Sequence, residues 1–317
     1  MATNATDQLR VIPTGRALGA EIRGVDLAEE VPPETRDALM QAWIDHLVLL
    51  LRDQDLSEDQ FVAAARIFGE LQGSTTRERP GATAEPEALT ASRPEVCMLH
   101  NIGPDGQPTA INSGAGSSEL PWHSDNSYAE TPPAGSMLQA LEVPPSGGNT
   151  YFSNQYLSFE SLDDEVRDEI ESRTALQDFS RDGTGELRPG MEPPKTPDDV
   201  PGPHQPIVRV HPQSGRKSLY LGRRYAHPSQ YIDGLPHKES ERLLDLLWER
   251  ATDPAFVWCH VWRRGDVLLW DNRCTMHRRD PIPPDAPRIM RRTMIKEAHA
   301  LQRASGDPAT HSARALV

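Results

Sequence analysis

The chain has 317 residues, of which 25% are charged and 37% hydrophobic, a composition typical of a folded protein with a buried core. Its 29 prolines are nearly twice the usual share of about 5%, which argues against long helical bundles and solenoids. Acidic residues exceed basic ones by 14, so nucleic acid and anionic membrane surfaces are disfavoured as partners.

Cysteine usage and the N-terminus bear on the compartment. Cys97, Cys259 and Cys274 are scattered and form no CxxC pair, which favours reduced thiols over a disulfide framework. The first ten residues lack an apolar signal core, and apolar stretches such as Leu47 to Leu51 are too short to span a bilayer. We therefore expect a cytoplasmic protein with a small-molecule partner, and the sequence is compatible with a homo-oligomer.

The first 120 residues predict two helices followed by a segment with little regular structure. Residues 34 to 46 are expected to form a helix that leads into a short buried strand, Leu47 to Leu51. Ser57 to Gln60 has the form of a capping box, so a second helix is expected to begin there. From 72 to 120 the sequence is rich in Gly, Ser, Pro and Thr and contains one predicted strand, Glu95 to His100, which indicates either disorder or a functional loop.

The remainder of the chain predicts mostly strands. They are expected at Ser136 to Val143, Thr150 to Ser153, Ile207 to His211, Ser218 to Leu221, Val257 to Arg263, Val267 to Trp270 and Arg291 to Lys296. Two helices are expected at about 162 to 172 and 238 to 251, and a Pro/Gly-rich loop at 181 to 206. Many strands with a few flanking helices predict a mainly β fold with a jelly-roll core, in one domain covering residues 1 to 300.

Two histidines and an aspartate are the strongest candidates for a metal site. His123 and Asp125 precede the first long strand of this half, and His277 follows the strand that ends at Trp270. Residues i and i+2 of an extended segment face the same way, so His123 and Asp125 can face one ion. Two imidazoles and one carboxylate leave three coordination positions open, which suits Fe(II). Taken alone, His123 and Asp125 fit locally hydrogen-bonded loop residues at least as well.

A run of arginines follows His277. On a strand, one face would carry Arg288, Met290, Arg292 and Met294, and the other Ile289, Arg291, Thr293 and Ile295. An arginine that points into a barrel is a costly buried charge unless an anion meets it, and its planar group suits a carboxylate. The alternative is that these arginines lie in water on an edge strand.

Together these features resemble the TauD/TfdA family of Fe(II)- and 2-oxoglutarate-dependent dioxygenases over about residues 10 to 297. The segments that carry the resemblance are Leu18 to Leu27, Phe68 to Leu71, Trp122 to Asp125, Pro132-Pro133, Gly147 to Thr150, Gly265 to Arg273, His277 and Arg288. The resemblance implies a double-stranded β-helix (jelly-roll) core, with Fe(II), 2-oxoglutarate and O₂ as the metal and co-substrates. On this basis we expect 72–120 and 181–206 to form a lid and 301–317 to be a flexible tail.

The resemblance also implies roles for single residues at the metal and the co-substrate. His123, Asp125 and His277 are the implied iron ligands. Thr150, which stands 25 residues after Asp125, is implied to hydrogen-bond 2-oxoglutarate. Arg288, which stands 11 residues after His277, is implied to hold the distal carboxylate of the same molecule.

Three further residues are expected at the substrate. Arg292 matches an arginine that lies beside the anionic group of the substrate in taurine-type members, and Tyr128 follows the metal pair closely. Glu119 takes a position where taurine-type members have asparagine. A carboxylate there would repel a sulfonate, which argues against taurine itself as the substrate.

The implied reaction is hydroxylation or oxidative cleavage at a C–H bond of a small anionic substrate, with release of succinate and CO₂. Two alternatives from other classes remain at this stage. One is a non-catalytic jelly-roll binding module, which ligand-dependent CO₂ release would exclude. The other is a metal-dependent hydrolase with Zn²⁺ at His123, Asp125 and His277, which indifference to Arg288→Ala would favour.

Overall fold

The structure, a computed structural model, describes residues 9–73, 89–103, 105–108 and 117–298. Helices in this part of the chain are α1 (Pro33–His46), α2 (Glu58–Arg66), α3 (Gln155–Glu160), α4 (Asp164–Ile170) and α5 (His237–Ala251). Its strands are β1 (Arg10–Pro13), β2 (Ala20–Arg23), β3 (Val48–Leu51), β4 (Cys97–His100), β5 (Leu120–His123), β6 (Gly135–Glu142), β7 (Thr150–Asn154), β8 (Thr174–Leu176), β9 (His204–Pro206), β10 (Val208–Val210), β11 (Lys217–Leu219), β12 (Val257–His260), β13 (Val267–Asp271), β14 (Thr275–Arg279) and β15 (Ile289–Ile295). The predicted tail 301–317 and part of the predicted lid 72–120 lie outside the described residues.

Two main sheets carry the architecture. The larger has seven strands in the order β1-β2-β3-β13-β6-β15-β4, and the smaller has four in the order β12-β7-β14-β5. All neighbours in both sheets are antiparallel except β2 and β3, which are parallel. Because strands that are distant in sequence lie side by side, the fold is the mainly β jelly-roll that the sequence predicts.

The inner faces of the two sheets pack against each other. Leu138, Leu268 and Met290 of the larger sheet join Phe152 of the smaller one in a single buried cluster. Alternate residues of the same strands of the larger sheet point the other way, because successive side chains of a strand leave on opposite faces. Those residues, which include Met137 and Leu269, pack against α1 and α2.

Helices cover the outer faces of both sheets. The predicted capping box of α2 is confirmed, because Ser57 Oγ accepts from Gln60 N at 3.2 Å and Gln60 Oε1 accepts from Ser57 N at 2.8 Å. On the smaller sheet, Leu243, Leu244 and Leu247 of α5 share a buried cluster with Met276 of β14. None of the described helices is long and apolar enough to cross a membrane.

Most predicted elements are present with shifts of one to three residues at their ends, but the predicted loop 181–206 needs a correction. Its last three residues form β9, which pairs with β8. Strands of three residues carry too little of the two-residue period to be recognised in sequence. Helix α3 was also missed, because six residues are fewer than two helical turns.

Candidate active site

The two predicted metal-site histidines are paired across neighbouring strands. His123 at the end of β5 lies directly opposite His277 of β14, and their ring centroids are 4.1 Å apart. Asp125 follows two residues later, with Oδ1 at 3.8 Å from His123 Nε2 and 3.9 Å from His277 Nε2. All three side chains are buried, and their potential ligand atoms lie within 4.8 Å of one another. The structure therefore brings the predicted triad together.

Both imidazoles are held in a form that can donate a lone pair to a metal. His123 Nδ1 lies 2.8 Å from the Pro121 carbonyl oxygen, so it carries the proton and leaves Nε2 free. Burial, followed by the charge of Arg223, lowers the pKa of His123 well below its ordinary value. Burial lowers the pKa of His277 to about 4. Neutral imidazoles are the metal-binding form.

The Asp125 carboxyl is kept ionised in spite of its burial. Burial alone would raise its pKa, but the positive charge of Arg292 and a hydrogen bond from Ser136 bring the pKa below its ordinary value. Ser136 Oγ donates to Oδ2 at 2.7 Å, and Arg292 Nη1 lies 3.5 Å from Oδ1. A deprotonated carboxylate beside two neutral imidazoles fits a divalent cation with open coordination positions.

His211, Asp271 and Cys274 form a second buried group of potential ligands. This group differs from the triad because its carboxylate is already paired through both oxygens with a cationic side chain. Both Asp271 oxygens accept hydrogen bonds from the Arg273 guanidinium, and Oδ2 also lies 2.9 Å from His211 Nε2. Arg273 therefore already compensates the Asp271 charge, and we interpret this group as a structural ion pair and not as a metal site.

Thr150 and Arg288 lie on facing parts of the interior. Thr150 begins β7, between His260 of β12 and Arg279 of β14 in register, and its Oγ1 accepts from Trp262 Nε1 at 2.9 Å. Arg288 is 4% exposed, just before β15. Burial, followed by the charge of Arg279, lowers the pKa of Arg288 to about 9.

The Arg288 guanidinium has no hydrogen-bond acceptor among the described residues. It lines a cavity of about 50 Å³ together with Trp262 and the segment 143–149. Because a buried guanidinium is costly without an anion, this cavity is suited to a carboxylate group.

Strand β15 has the alternation predicted for its arginines. It lies between β6 and β4 and is therefore not an edge strand, so the solvated alternative does not hold. Met290 on the Arg288 and Arg292 face belongs to the cluster between the sheets. Arg291 faces the other way, where its guanidinium donates to Gln139 Oε1 and to the Leu56 carbonyl oxygen.

The remaining predicted substrate residues differ in position. Tyr128 lies three residues past Asp125, and its ring contacts Phe179 and the Arg188 guanidinium at centroid distances of 5.6 and 4.4 Å. Glu119 is 57% exposed, with Oε1 at 3.6 Å from Arg278 Nη1. Unlike the buried triad, Glu119 is thus largely exposed to solvent, and its role at the substrate stays a prediction.

Three residues near the site are not among the predicted site residues. Arg223 forms an isolated β-bridge with His123, and its guanidinium donates to the Asp182 carbonyl oxygen. Its place after a predicted strand is a weak signal that it faces the pocket. Asn272 and Trp262 act through hydrogen bonds to Asp125 and Thr150, residues more than 100 positions away. No local pattern indicates such contacts.

Comparison with known proteins agrees with this geometry. The sequence profile of the family described as "Taurine catabolism dioxygenase TauD, TfdA family" matches residues 10–294. The (S)-phenoxypropionate/alpha-ketoglutarate-dioxygenase of Sphingobium herbicidovorans is 31% identical over 96% of this chain and 98% of its own length. The alpha-ketoglutarate-dependent 2,4-dichlorophenoxyacetate dioxygenase of a Burkholderia species is 33% identical over 82% of this chain and 85% of its own.

A solved structure gives the same result for the fold and for the kind of site. The crystal structure of AAD-2 in complex with Mn(II) and N-oxalylglycine matches with a TM-score of 0.74 and 29% identity, covering 92% of this chain and 98% of that one. The chain belongs to the TauD/TfdA family and is a dioxygenase that depends on Fe(II), 2-oxoglutarate and O₂.

Proposed function

We propose that this dioxygenase oxidises a C–H bond of a small organic carboxylate, with His123, Asp125 and His277 as the iron ligands. The observation that carries the substrate class is the positive charge beside the triad. Arg292 and Arg223 both lower the pKa of His123 and of Asp125. In the described part of the chain, the carboxylate that Arg292 meets is Asp125, which a bound metal would occupy. An anionic substrate would supply the missing negative charge.

The metal, the co-substrate and the residues of this chain would each have a separate role in the reaction. Fe(II) held by the triad, together with 2-oxoglutarate, supplies the activation of O₂. Thr150 and Arg288 would bind the distal carboxylate of the co-substrate and so fix its orientation at the metal. The buried positions of all three ligands keep bulk water away from the reacting atoms.

We propose that the substrate lies between the triad and the segment around Arg188. Arg292 would meet its carboxylate, with Arg223 as a second positive charge. Tyr128 and Phe179 offer aromatic surface to the body of the molecule. Two relatives are named for (S)-phenoxypropionate and 2,4-dichlorophenoxyacetate, both carboxylates, which supports the same class here. The contact of Arg188 with Tyr128 supports a lid role for the loop that begins at residue 181.

The test begins with an anaerobic titration of the metal-free protein with Fe(II) and then with 2-oxoglutarate. The titration is monitored by the visible metal-to-ligand charge-transfer band. Substrate-dependent O₂ uptake and succinate release are then measured with aryloxy and alkyl carboxylates, sulfonates and sulfate esters. We expect carboxylates to be preferred. A preference for sulfonates or sulfate esters would contradict the proposed class.

The variant Arg292→Met tests the anion contact. We expect it to raise the KM for the substrate about tenfold or more, because a charge-assisted contact is lost. The charge-transfer band should still form, because a bound metal would itself keep Asp125 ionised. Arg167→Met, which alters an exposed arginine paired with Asp164, is the matched control. An unchanged KM in Arg292→Met would remove Arg292 from the substrate site.

We also infer that residues 1–300 act as one domain in the cytoplasm, and the sequence remains compatible with a homo-oligomer. All three cysteines are free, which supports a reducing compartment. Titration of the thiols after unfolding without reductant, which exposes the buried Cys97 and Cys274, and light scattering on a sizing column test these points. Fewer than three thiols would contradict the reducing compartment, and a mass of one chain would exclude the homo-oligomer.

A further inference from the structure

The hydrogen bond between Trp262 and Thr150 has only one possible direction. Trp262 Nε1 lies 2.9 Å from Thr150 Oγ1, and both residues are buried. An indole nitrogen can only donate, so the Thr150 oxygen must be the acceptor in this bond. The Thr150 hydroxyl proton is therefore not used there, and none of the described residues accepts it.

The same side of the interior holds a second unused donor. Arg288 and Trp262 line one cavity of about 50 Å³, with Gly148 and Asn149 of the segment that leads to Thr150. A cavity needs roughly 10–15 Å³ to hold a water molecule, so this volume has room for a carboxylate group. Thr150 is linked to this cavity through its bond to Trp262 and its neighbour Asn149, so we expect an acceptor with two oxygens to reach both the hydroxyl proton and the guanidinium.

The indole is itself fixed by packed neighbours. Its ring meets His260 edge to face, with centroids 4.7 Å apart and planes at 87°. His260 Nε2 lies 3.0 Å from Asp266 Oδ2, and Arg52 donates to both oxygens of that carboxylate. The direction of the indole N–H is therefore set before any ligand binds, which reduces the cost of ordering Thr150.

We propose that Trp262 is a positioning residue for the co-substrate, because its N–H occupies a lone pair of Thr150 and keeps the hydroxyl proton directed at the distal carboxylate beside Arg288. This inference rests on the proposed roles of Thr150 and Arg288. With one lone pair occupied by the indole, the Thr150 hydroxyl would act toward the ligand as a donor. Selection of a 2-oxo acid with a second carboxylate follows, because a neutral end group would lose a charge-assisted hydrogen bond.

The test is a double-mutant cycle on the binding of 2-oxoglutarate. Trp262→Phe keeps an aromatic ring and removes the N–H, and Thr150→Val removes the hydroxyl at nearly constant volume. The dissociation constant for 2-oxoglutarate is measured anaerobically by the charge-transfer band of the Fe(II) protein and by calorimetry of the Mn(II) protein. We expect Trp262→Phe to weaken binding about fivefold to tenfold, with Mn(II) affinity unchanged.

The variant that combines Thr150→Val with Trp262→Phe shows whether Trp262 acts through Thr150. In the Thr150→Val background, Trp262→Phe is expected to have no further effect, because its partner is already gone. Trp258→Phe is the matched control, since Trp258 lies on β12 and stacks on Phe152 without a bond to Thr150. An equal loss from Trp262→Phe in both backgrounds would overturn the inference, because the tryptophan would then act through packing alone.

The single variants test the roles of Thr150 and Trp262 separately. If Thr150→Val leaves 2-oxoglutarate binding unchanged, the proposed role of Thr150 is wrong. If Thr150→Val weakens binding but Trp262→Phe does not, only the positioning role of Trp262 is wrong. The wild-type protein gives an independent check with 2-oxoglutaramate, which has a neutral amide at the distal end. Binding as tight as that of 2-oxoglutarate would contradict the proposed role of Arg288, on which the inference rests, because the amide keeps an oxygen that can accept from Thr150 and loses only the charge.

Discussion

The side chain of Asn272 holds the backbone of Asp125 at two points. Asn272 Oδ1 accepts from Asp125 N at 2.7 Å, and Asn272 Nδ2 donates to Asp125 O at 2.9 Å. Nδ2 also donates to the Pro133 carbonyl oxygen at 3.1 Å. Asn272 lies between β13 and β14, so it ties the carboxylate-bearing segment to the turn that leads to His277. One amide thus helps to set the spacing of the triad.

Replacing Asn272 by aspartate should weaken metal binding. The substitution turns a donor into an oxygen that faces two carbonyl oxygens, so the Asp125 segment should move. We expect Mn(II) affinity, measured by calorimetry, to fall by about 10- to 100-fold, as for other residues that orient metal ligands. Gln41→Glu, an equivalent change on the exposed side of α1, is the control. Wild-type affinity in Asn272→Asp would mean that Asp125 is positioned by other contacts.

The histidine pair predicts acid sensitivity of the metal-free protein. Burial lowers the pKa of His277 to about 4, whereas the unfolded chain would bind the same proton near pH 6.5. Between these values the unfolded state binds more protons, so stability is present above pH 6.5 and is lost as the pH falls toward 4. At pH 5 we expect His277 to contribute a loss of about 2 kcal/mol.

Urea denaturation with a chelator at pH 7.5 and pH 5 measures this loss. His277→Gln should reduce the difference in unfolding free energy between the two pH values, whereas His237→Gln, at an exposed position, should not. The same pH dependence in the wild type and in His277→Gln would show that other groups dominate the acid response.

The buried pair of Asp271 and Arg273 predicts a large stability effect. Arg273 donates to both oxygens of Asp271, and neither side chain is more than 6% exposed. Arg273→Met would leave a buried carboxylate without its cation, so we expect a loss of about 3–5 kcal/mol in the free energy of unfolding. The exposed pair of Arg167 and Asp164 supplies the comparison, with less than about 1 kcal/mol expected for Arg167→Met. Similar losses in the two variants would contradict this account.

The position of Gly148 leads us to expect that a tight turn and the cavity beside Arg288 are coupled. Its φ is +66°, and an added Cβ would lie 2.6 Å from Ile282 Cγ2 and 3.9 Å from Arg288 Cδ. Gly215 has a φ of +68° with nothing within 4 Å, so Gly215→Ala isolates the backbone cost of about 1–2 kcal/mol. Gly148→Ala should lose more stability and should also bind 2-oxoglutarate more weakly, as urea denaturation and calorimetry would show. Equal stability losses in Gly148→Ala and Gly215→Ala would mean that the Ile282 side chain moves away from the new methyl group at no cost in free energy.

The sequence by itself determined those features that depend on residues close together in the chain. The capping box of α2 depends on residues three positions apart, and the alternation of β15 depends on the two-residue period of a strand. The spacing of His123 and Asp125 put two candidate ligands on one face of an extended segment. For these features, each residue and its partner are within one turn or one strand, so the pattern itself contains the interaction.

Only the tertiary structure decided which residues, distant in sequence, contact the candidate site residues. Register between β5 and β14 sets His277 opposite His123, and it leaves Glu119 exposed beside Arg278. The order of strands in the larger sheet makes β15 an interior strand and so buries Arg288. Asn272 on Asp125 and Trp262 on Thr150 are contacts across 147 and 112 positions. Such contacts follow from how the sheets pair and pack, which no local period specifies.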